Sequence, residues 1–294
     1  DISFDKKYEV IANGTLIATK ELDGLKKGSF NMENPMSSYL LAFAIGDYHK
    51  KEVESNSGIP INLYFYPGDS AKVEPTYRHT TDIFNFLEKE IGVPYPWQNY
   101  KQVPVRDFLY AGMENTGTTI FSDSYIIDST AFKDRNYVNV NAHEMAHQWF
   151  GNLVTEVDGS SHWLHEGFAT YYALLAEKEL FGEEYYYWKL YDTAIQLKDL
   201  TNKNMGEALV DPKAGSLTFY EKGAWALHVL REQIGKKRFR QGIQRYLKKY
   251  GFKNVTIDNL IEEMEGETHN DLAVFRKRWL VDKGFPFNEA KKIL

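Results

Sequence analysis

Asn141-Ala-His-Glu-Met-Ala-His-Gln-Trp-Phe150 places two histidines four residues apart, with a glutamate beside the first. On an α-helix, positions four apart share a face, so His143 and His147 can aim their imidazoles at one point. Zn²⁺ suits imidazole and carboxylate ligands, and a catalytic site uses three protein ligands while keeping one position for water. Glu144 sits on the flank of that face, where a carboxylate can take a proton rather than bind the metal. A His-Glu-x-x-His string also arises by chance in a chain with 8 His, so a metal site requires a third ligand downstream. Ser160-Ser-His-Trp-Leu-His-Glu-Gly-Phe-Ala-Thr-Tyr-Tyr172 supplies one. A serine cap is expected to open a second helix there, with Glu166 in its first turns; His162 and His165 are rival ligands by residue type.

The rest of the chain can house such a site. At 294 residues it can bury a sizeable core, and one large domain with part of a second is the natural expectation. Hydrophobic residues at 43% and charged residues at 26% are ordinary for a globular protein. The 20 Tyr favour a ring-lined interior or cleft. A formal net charge of -6 argues against a nucleic-acid or anionic-membrane surface and leaves room for a cleft that attracts cations. Cysteine is absent, which excludes disulfides and thiolate metal sites but says nothing of compartment. No apolar run is long enough to span a membrane. The chain starts Asp-Ile-Ser-Phe, without an initiator Met or a signal-peptide pattern, and is expected to be a processed or excised piece.

Residues 1–67 read as strands. Asn13-Gly14 lies between two β-prone runs and signals a hairpin. Ser38–Ile45 and Ile59–Tyr66 suit buried strands. Too few strands are present for a complete sandwich, so this region is expected to be the tail of a β-domain. Val73–Ile91 has helical spacing and stops at Gly92. An extended segment over Lys101–Tyr110 and strands at Thr118–Phe121 and Tyr125–Ile127 follow. From about residue 136 nearly everything reads as helix, with stops at Gly151, Gly182, Gly235, Gly251, Gly266 and Gly284.

His143-Glu144-x-x-His147, eighteen intervening residues and Glu166 together resemble the zinc signature of the aminopeptidase N and leukotriene hydrolase family of gluzincin metallopeptidases. Gln148-Trp-Phe-Gly-Asn-Leu-Val-Thr155 and Trp163-Leu-His-Glu-Gly-Phe-Ala-Thr170 match the text around that signature. Ala111-Gly-Met-Glu-Asn115 resembles the family's Gly-x-Met-Glu-Asn strand, and Tyr220-Glu-Lys-Gly223 the segment with its catalytic tyrosine. The likeness runs from about Ser37 to Gly284. Two positions depart from it: His165 stands where Asn is common, and Ala173 where many relatives have an acidic residue that steadies a zinc histidine.

The resemblance implies an α+β fold: a thermolysin-like zinc metallopeptidase catalytic domain, a mixed sheet beside a helical lobe, preceded by the last strands of an N-terminal β-domain. The implied division is 1–67 as the β-domain remnant, 68–285 as the catalytic domain, and 286–294 as the start of a further domain missing here. It implies one Zn²⁺ per chain on His143, His147 and Glu166, with Glu144 as general base and Tyr220 as donor to the oxyanion. Glu114, with Gly112 and Met113, would bind the substrate, the carboxylate holding the free α-amine of a peptide. The expected activity is that of a zinc aminopeptidase, with a thermolysin-type endopeptidase or a bifunctional aminopeptidase/epoxide hydrolase as alternatives. Peptides with a free N-terminal amine are the expected partners. The second Met-Glu-Asn, at residues 32–34, precedes a Pro, and Glu33 is expected to be structural or solvated.

Overall fold

The computed structural model of the chain describes residues 1–294, the side chain of Leu22 excepted. The chain forms two compact units, Asp1–Asn85 with Tyr95–Gln148, and Phe86–Pro94 with Trp149–Leu294.

In the first unit, β1 (Ile2–Asp5), β2 (Glu9–Ala12), β3 (Thr15–Leu22), β4 (Leu25–Asn31) and β5 (Phe43–Gly46) form two small antiparallel sheets, ordered β1-β4-β3 and β2-β5. The Asn13-Gly14 turn therefore does not close the expected hairpin, since β2 and β3 belong to different sheets. The cause is Asn13, whose amide donates to the carbonyls of Leu40 and Thr116 at 3.1 and 2.8 Å while its oxygen accepts from the Ala42 N–H at 2.7 Å. These bonds reach across the sequence and override the local turn preference.

Next, β6 (His49–Glu54), β7 (Pro60–Phe65), β8 (Tyr100–Val105), β9 (Gly112–Met113) and β10 (Thr118–Ser122) build a mixed sheet ordered β6-β7-β8-β10-β9. β7, β8 and β10 run parallel, and β6 and β9 are antiparallel edges. Parallel neighbours need a crossover, which α1 (Val73–Tyr77) and α2 (Thr80–Ile91) provide between β7 and β8. The helix expected over 73–91 is thus interrupted at Arg78-His79. Because β7 pairs with β8, the expected boundary at 67 falls inside the connection between two strands of one sheet. The strand expected at Tyr125–Ile127 is instead a 3-10 turn, Asp123–Tyr125, capped by the Ser122 hydroxyl.

A further helix, α3 (Val138–Ala146), packs against this sheet. Its Asn141 accepts from the Gln102 amide at 2.5 Å and donates to the Thr80 hydroxyl at 2.8 Å. Tyr137, just before it, stacks on Phe121 of β10 at 4.2 Å between ring centres. Val138, Ala142 and Met145 are buried beneath it.

The second unit is mostly helical, as expected, although β11 (Val154–Glu156) pairs with β12 (Lys253–Val255). Its centre is α4 (Trp163–Phe181), buried on every side from Trp163 to Glu177. A helix without a polar stripe belongs in the interior. Phe168 and Tyr172 stack on Phe150 at 4.4 and 5.0 Å. Around it lie α5 (Glu183–Asn202), α6 (Gly223–Ile234), α7 (Lys236–Tyr250) and α8 (Ile257–Thr268). Gly182 and Gly235 end α4 and α6 at φ 94° and 85°, backbone that favours glycine. Gly266, an expected stop, lies within α8, which ends at His269 with φ 55°. The expected serine cap is absent: His162 stands at the N-cap of α4 without a side-chain cap bond, and Asp158 caps the 3-10 turn Gly159–Ser161 before it, accepting from the Ser160 N–H at 2.9 Å. Phe285 packs edge-on against Trp225 and Trp279, and Ala290 is buried. Among the described residues, no helix is long and apolar enough to cross a membrane.

Candidate metal centre

Within the first unit, α3 brings His143 and His147 together, as their spacing requires. Their Nε2 atoms are 3.0 Å apart and the rings are tilted by 82°. Two nitrogens bound to one tetrahedral zinc at 2.0–2.1 Å would stand about 3.3 Å apart. The pair therefore fits two positions of such a metal, and His147 is almost wholly buried.

Glu144, one residue along the same helix, is turned toward β9. A Cβ on Gly112 would lie only 2.5 Å from Oε1 of Glu144, so the bare backbone at 112 leaves the room that carboxyl occupies. Gln148 ties this helix to the β9–β10 turn: its oxygen accepts from the Gly117 N–H at 2.8 Å, and its amide donates to the carbonyls of Glu114 and Glu144, both at 3.3 Å. The result is a cluster in which Glu114, Glu144 and His147 each offer an atom within 4.8 Å of the others. Both carboxylates are largely buried. Met113 and Gly112 form the edge strand of the sheet, hydrogen-bonded on one side only. Glu33, by contrast, is exposed, and its N–H donates to Gln98 Oε1 at 3.1 Å, as its structural reading expects.

In the second unit, Glu166 occupies the first turn of α4 and is 8% exposed. The rival histidines are engaged elsewhere. His165 Nε2 accepts from the Glu156 N–H at 2.8 Å. His162 Nδ1 lies 3.1 Å from both carboxylate oxygens of Glu156, and its Nε2 is 3.8 Å from Glu166 Oε1. Glu156, His162 and His165 do cluster within 4.8 Å. Yet the bond to His165 Nε2 leaves the proton on its Nδ1, the atom that faces Glu156, and a protonated nitrogen has no lone pair for a metal.

Tyr220 is half-buried in a short π-helix, Thr218–Lys222, that leads into α6. Such one-turn insertions widen a helix locally and re-aim its side chains. Beside it, burial pushes the Glu221 carboxyl up to about 7, with Lys189 opposing and Glu177 and Asp192 adding to the shift. Burial also pulls the Lys222 ammonium down to about 8. Lys222 was not legible as a special residue from motifs. Its signal is that three of its four neighbours three and four positions away, Phe219, Trp225 and Ala226, are apolar.

The family described as Peptidase family M1 domain matches residues 76–279. The chain is 29% identical over 97% of its length to the leucyl aminopeptidase of Saccharolobus solfataricus, covering 38% of that protein. It is 30% identical over 90% of its length to the endoplasmic reticulum aminopeptidase 1 of Rattus norvegicus, covering 30% of that relative. The chain thus spans well under half the length of these curated relatives. An M1 zinc metallopeptidase from Deinococcus radiodurans has the same fold, with a TM-score of 0.82 at 22% identity over 97% of this chain and 63% of that one.

Proposed function

The chain belongs to peptidase family M1, and from that membership we propose that it carries the catalytic centre of a zinc aminopeptidase. One zinc per chain is held by His143, His147 and Glu166. The donor chemistry supports this reading: two converging imidazole nitrogens in the first unit, and in the second a buried carboxylate at the motif's spacing.

Zinc, when bound, would polarise the scissile carbonyl and lower the pKa of a water toward about 7. The remaining work falls to side chains. Glu144 accepts a proton from the attacking water and returns it to the leaving amine nitrogen. Tyr220 donates its O–H to the oxyanion that develops on the carbonyl oxygen. The edge strand β9 offers the unpaired side of Gly112 and Met113 to an extended peptide, which can add to it as a further strand.

The observation that carries the choice of an aminopeptidase is the cluster of Glu114, Glu144 and His147. An endopeptidase needs one general base and has no use for a second buried carboxylate there. A free α-amine has a pKa of about 7.7–8.0 and is mostly cationic near neutral pH, so it can pair with Glu114. Removing one partner of such a pair in a desolvated cleft costs about 2–5 kcal/mol. At about 1.4 kcal/mol per tenfold, Glu114→Ala should lose roughly thirty- to several-thousand-fold in kcat/KM. Acetylating the substrate's amine should cost a similar factor, and the two losses should not add, because each deletes the same pair. The test compares a free peptide with its N-acetylated twin on wild type and Glu114→Ala. Equal cleavage of both peptides by the wild type would leave the endopeptidase as the correct reading.

A second expectation concerns Tyr220. A hydrogen bond made only in the transition state affects kcat and hardly KM. Tyr220→Phe should therefore lower kcat by about 10²–10³-fold at nearly constant KM. A raised KM at unaltered kcat would make Tyr220 a ground-state binding residue instead.

A further inference from the structure

The π-turn that carries Tyr220 is held at both ends by one residue that no catalytic motif contains. Glu207 Oε2 accepts from the Thr218 hydroxyl at 2.7 Å, at the start of the turn, and from the Gly215 N–H at 2.8 Å. The backbone carbonyl of the same Glu207 accepts from the Lys222 ammonium at 2.7 Å, at the end of the turn. Lys222 is almost wholly buried and also donates to the carbonyl of Asp282 at 2.7 Å. No carboxylate is hydrogen-bonded to that ammonium among its recorded partners; it is held by main-chain oxygens, which do not move as side chains do.

The other side of the turn is fixed by a backbone crossing. Gly167, next to Glu166, and Gly223, three residues after Tyr220, pack against each other. A Cβ on Gly167 would come within 2.9 Å of the Gly223 Cα, and one on Gly223 within 2.8 Å of the Gly167 Cα. Neither obstacle is a flexible side chain, so only glycine at both positions permits this approach. The distance between the turn of Glu166 and the turn of Tyr220 is thereby set by main chain.

We propose that Glu207, Thr218 and Lys222 are positioning residues for the reaction: they bracket the π-turn, pressed against α4 at the Gly167–Gly223 crossing, and so hold the Tyr220 hydroxyl where the oxyanion forms. The inference rests on the reading of Tyr220 as oxyanion donor. A shift of a donor by a fraction of an ångström weakens a transition-state hydrogen bond while leaving substrate binding intact.

The test uses Lys222→Met and the milder Thr218→Val, each alone and combined with Tyr220→Phe, in the zinc-loaded protein. Each single substitution should lower kcat by about tenfold or more, bounded by the ~10²–10³-fold loss of Tyr220→Phe, with KM and zinc content unchanged. A phosphinic peptide that mimics the tetrahedral intermediate should lose affinity by a similar factor. In the Tyr220→Phe background neither substitution should cost anything further, and Thr218→Ser, which keeps the hydroxyl, should behave as wild type. If Lys222→Met does not fold, Thr218→Val carries the test alone. A kcat loss in Tyr220→Phe without one in Thr218→Val overturns the bracket, as do losses that add to Tyr220→Phe or that come with lost zinc. An unaltered kcat in Tyr220→Phe itself overturns the oxyanion reading, and the bracket's role with it.

Discussion

His147→Ala is expected to leave the protein without stoichiometric zinc. His147 closes the pair whose nitrogens stand 3.0 Å apart, and its removal leaves His143 and Glu166 as the proposed ligands. A catalytic zinc held by three protein groups has one position for water already, and two remaining groups no longer compete with chelators or buffer. The measurement is elemental analysis after dialysis against a chelator, with circular dichroism to establish that the variant is folded. The second readout matters because His147 is buried and truncation also leaves a small cavity. One tight zinc per chain in a folded His147→Ala protein would refute the assignment. The Glu156, His162 and His165 cluster would then be the site to examine, with His165 in its other tautomer.

Glu144→Gln should separate chemistry from metal binding. The amide keeps the size of the side chain and fits the space left by Gly112, but it cannot accept the proton of the attacking water. General-base catalysis contributes about 10²–10⁴-fold, so kcat should fall by that factor while zinc content and KM stay close to wild type. A variant with near-normal kcat would remove Glu144 from the role. A variant that also loses zinc would show that the carboxylate holds the metal, a different function for the same residue.

The local part of this site was legible because helix geometry is local. Four residues make slightly more than one turn, so His143 and His147 had to share a face once the segment was helical. The place of Glu166 in the first turn of α4 was expected as well, though from a serine cap that the helix does not have. Gly182 and Gly235 read correctly as helix stops, since a left-handed residue at a helix end is a property of one position.

Pairing between distant segments was not legible. Asn13-Gly14 is a turn, but which strands flank it was decided by bonds from Asn13 to Leu40, Ala42 and Thr116. The membership of β7 in the central sheet depended on β8, nearly forty residues on by number.

By itself, then, the sequence determined the two histidines on one helix face, the glutamate that flanks them, the downstream carboxylate at its spacing and the mostly helical second half. Tertiary structure alone decided that Glu114 and Glu144 share a cluster with His147, that Gly112 leaves the room for a carboxyl, and that Glu207 and Lys222 clamp the π-turn of Tyr220. The difference is physical. A helix repeats every 3.6 residues and writes its faces into the order of the chain, whereas a close approach of two backbones or a lysine among distant carbonyls leaves no period to read.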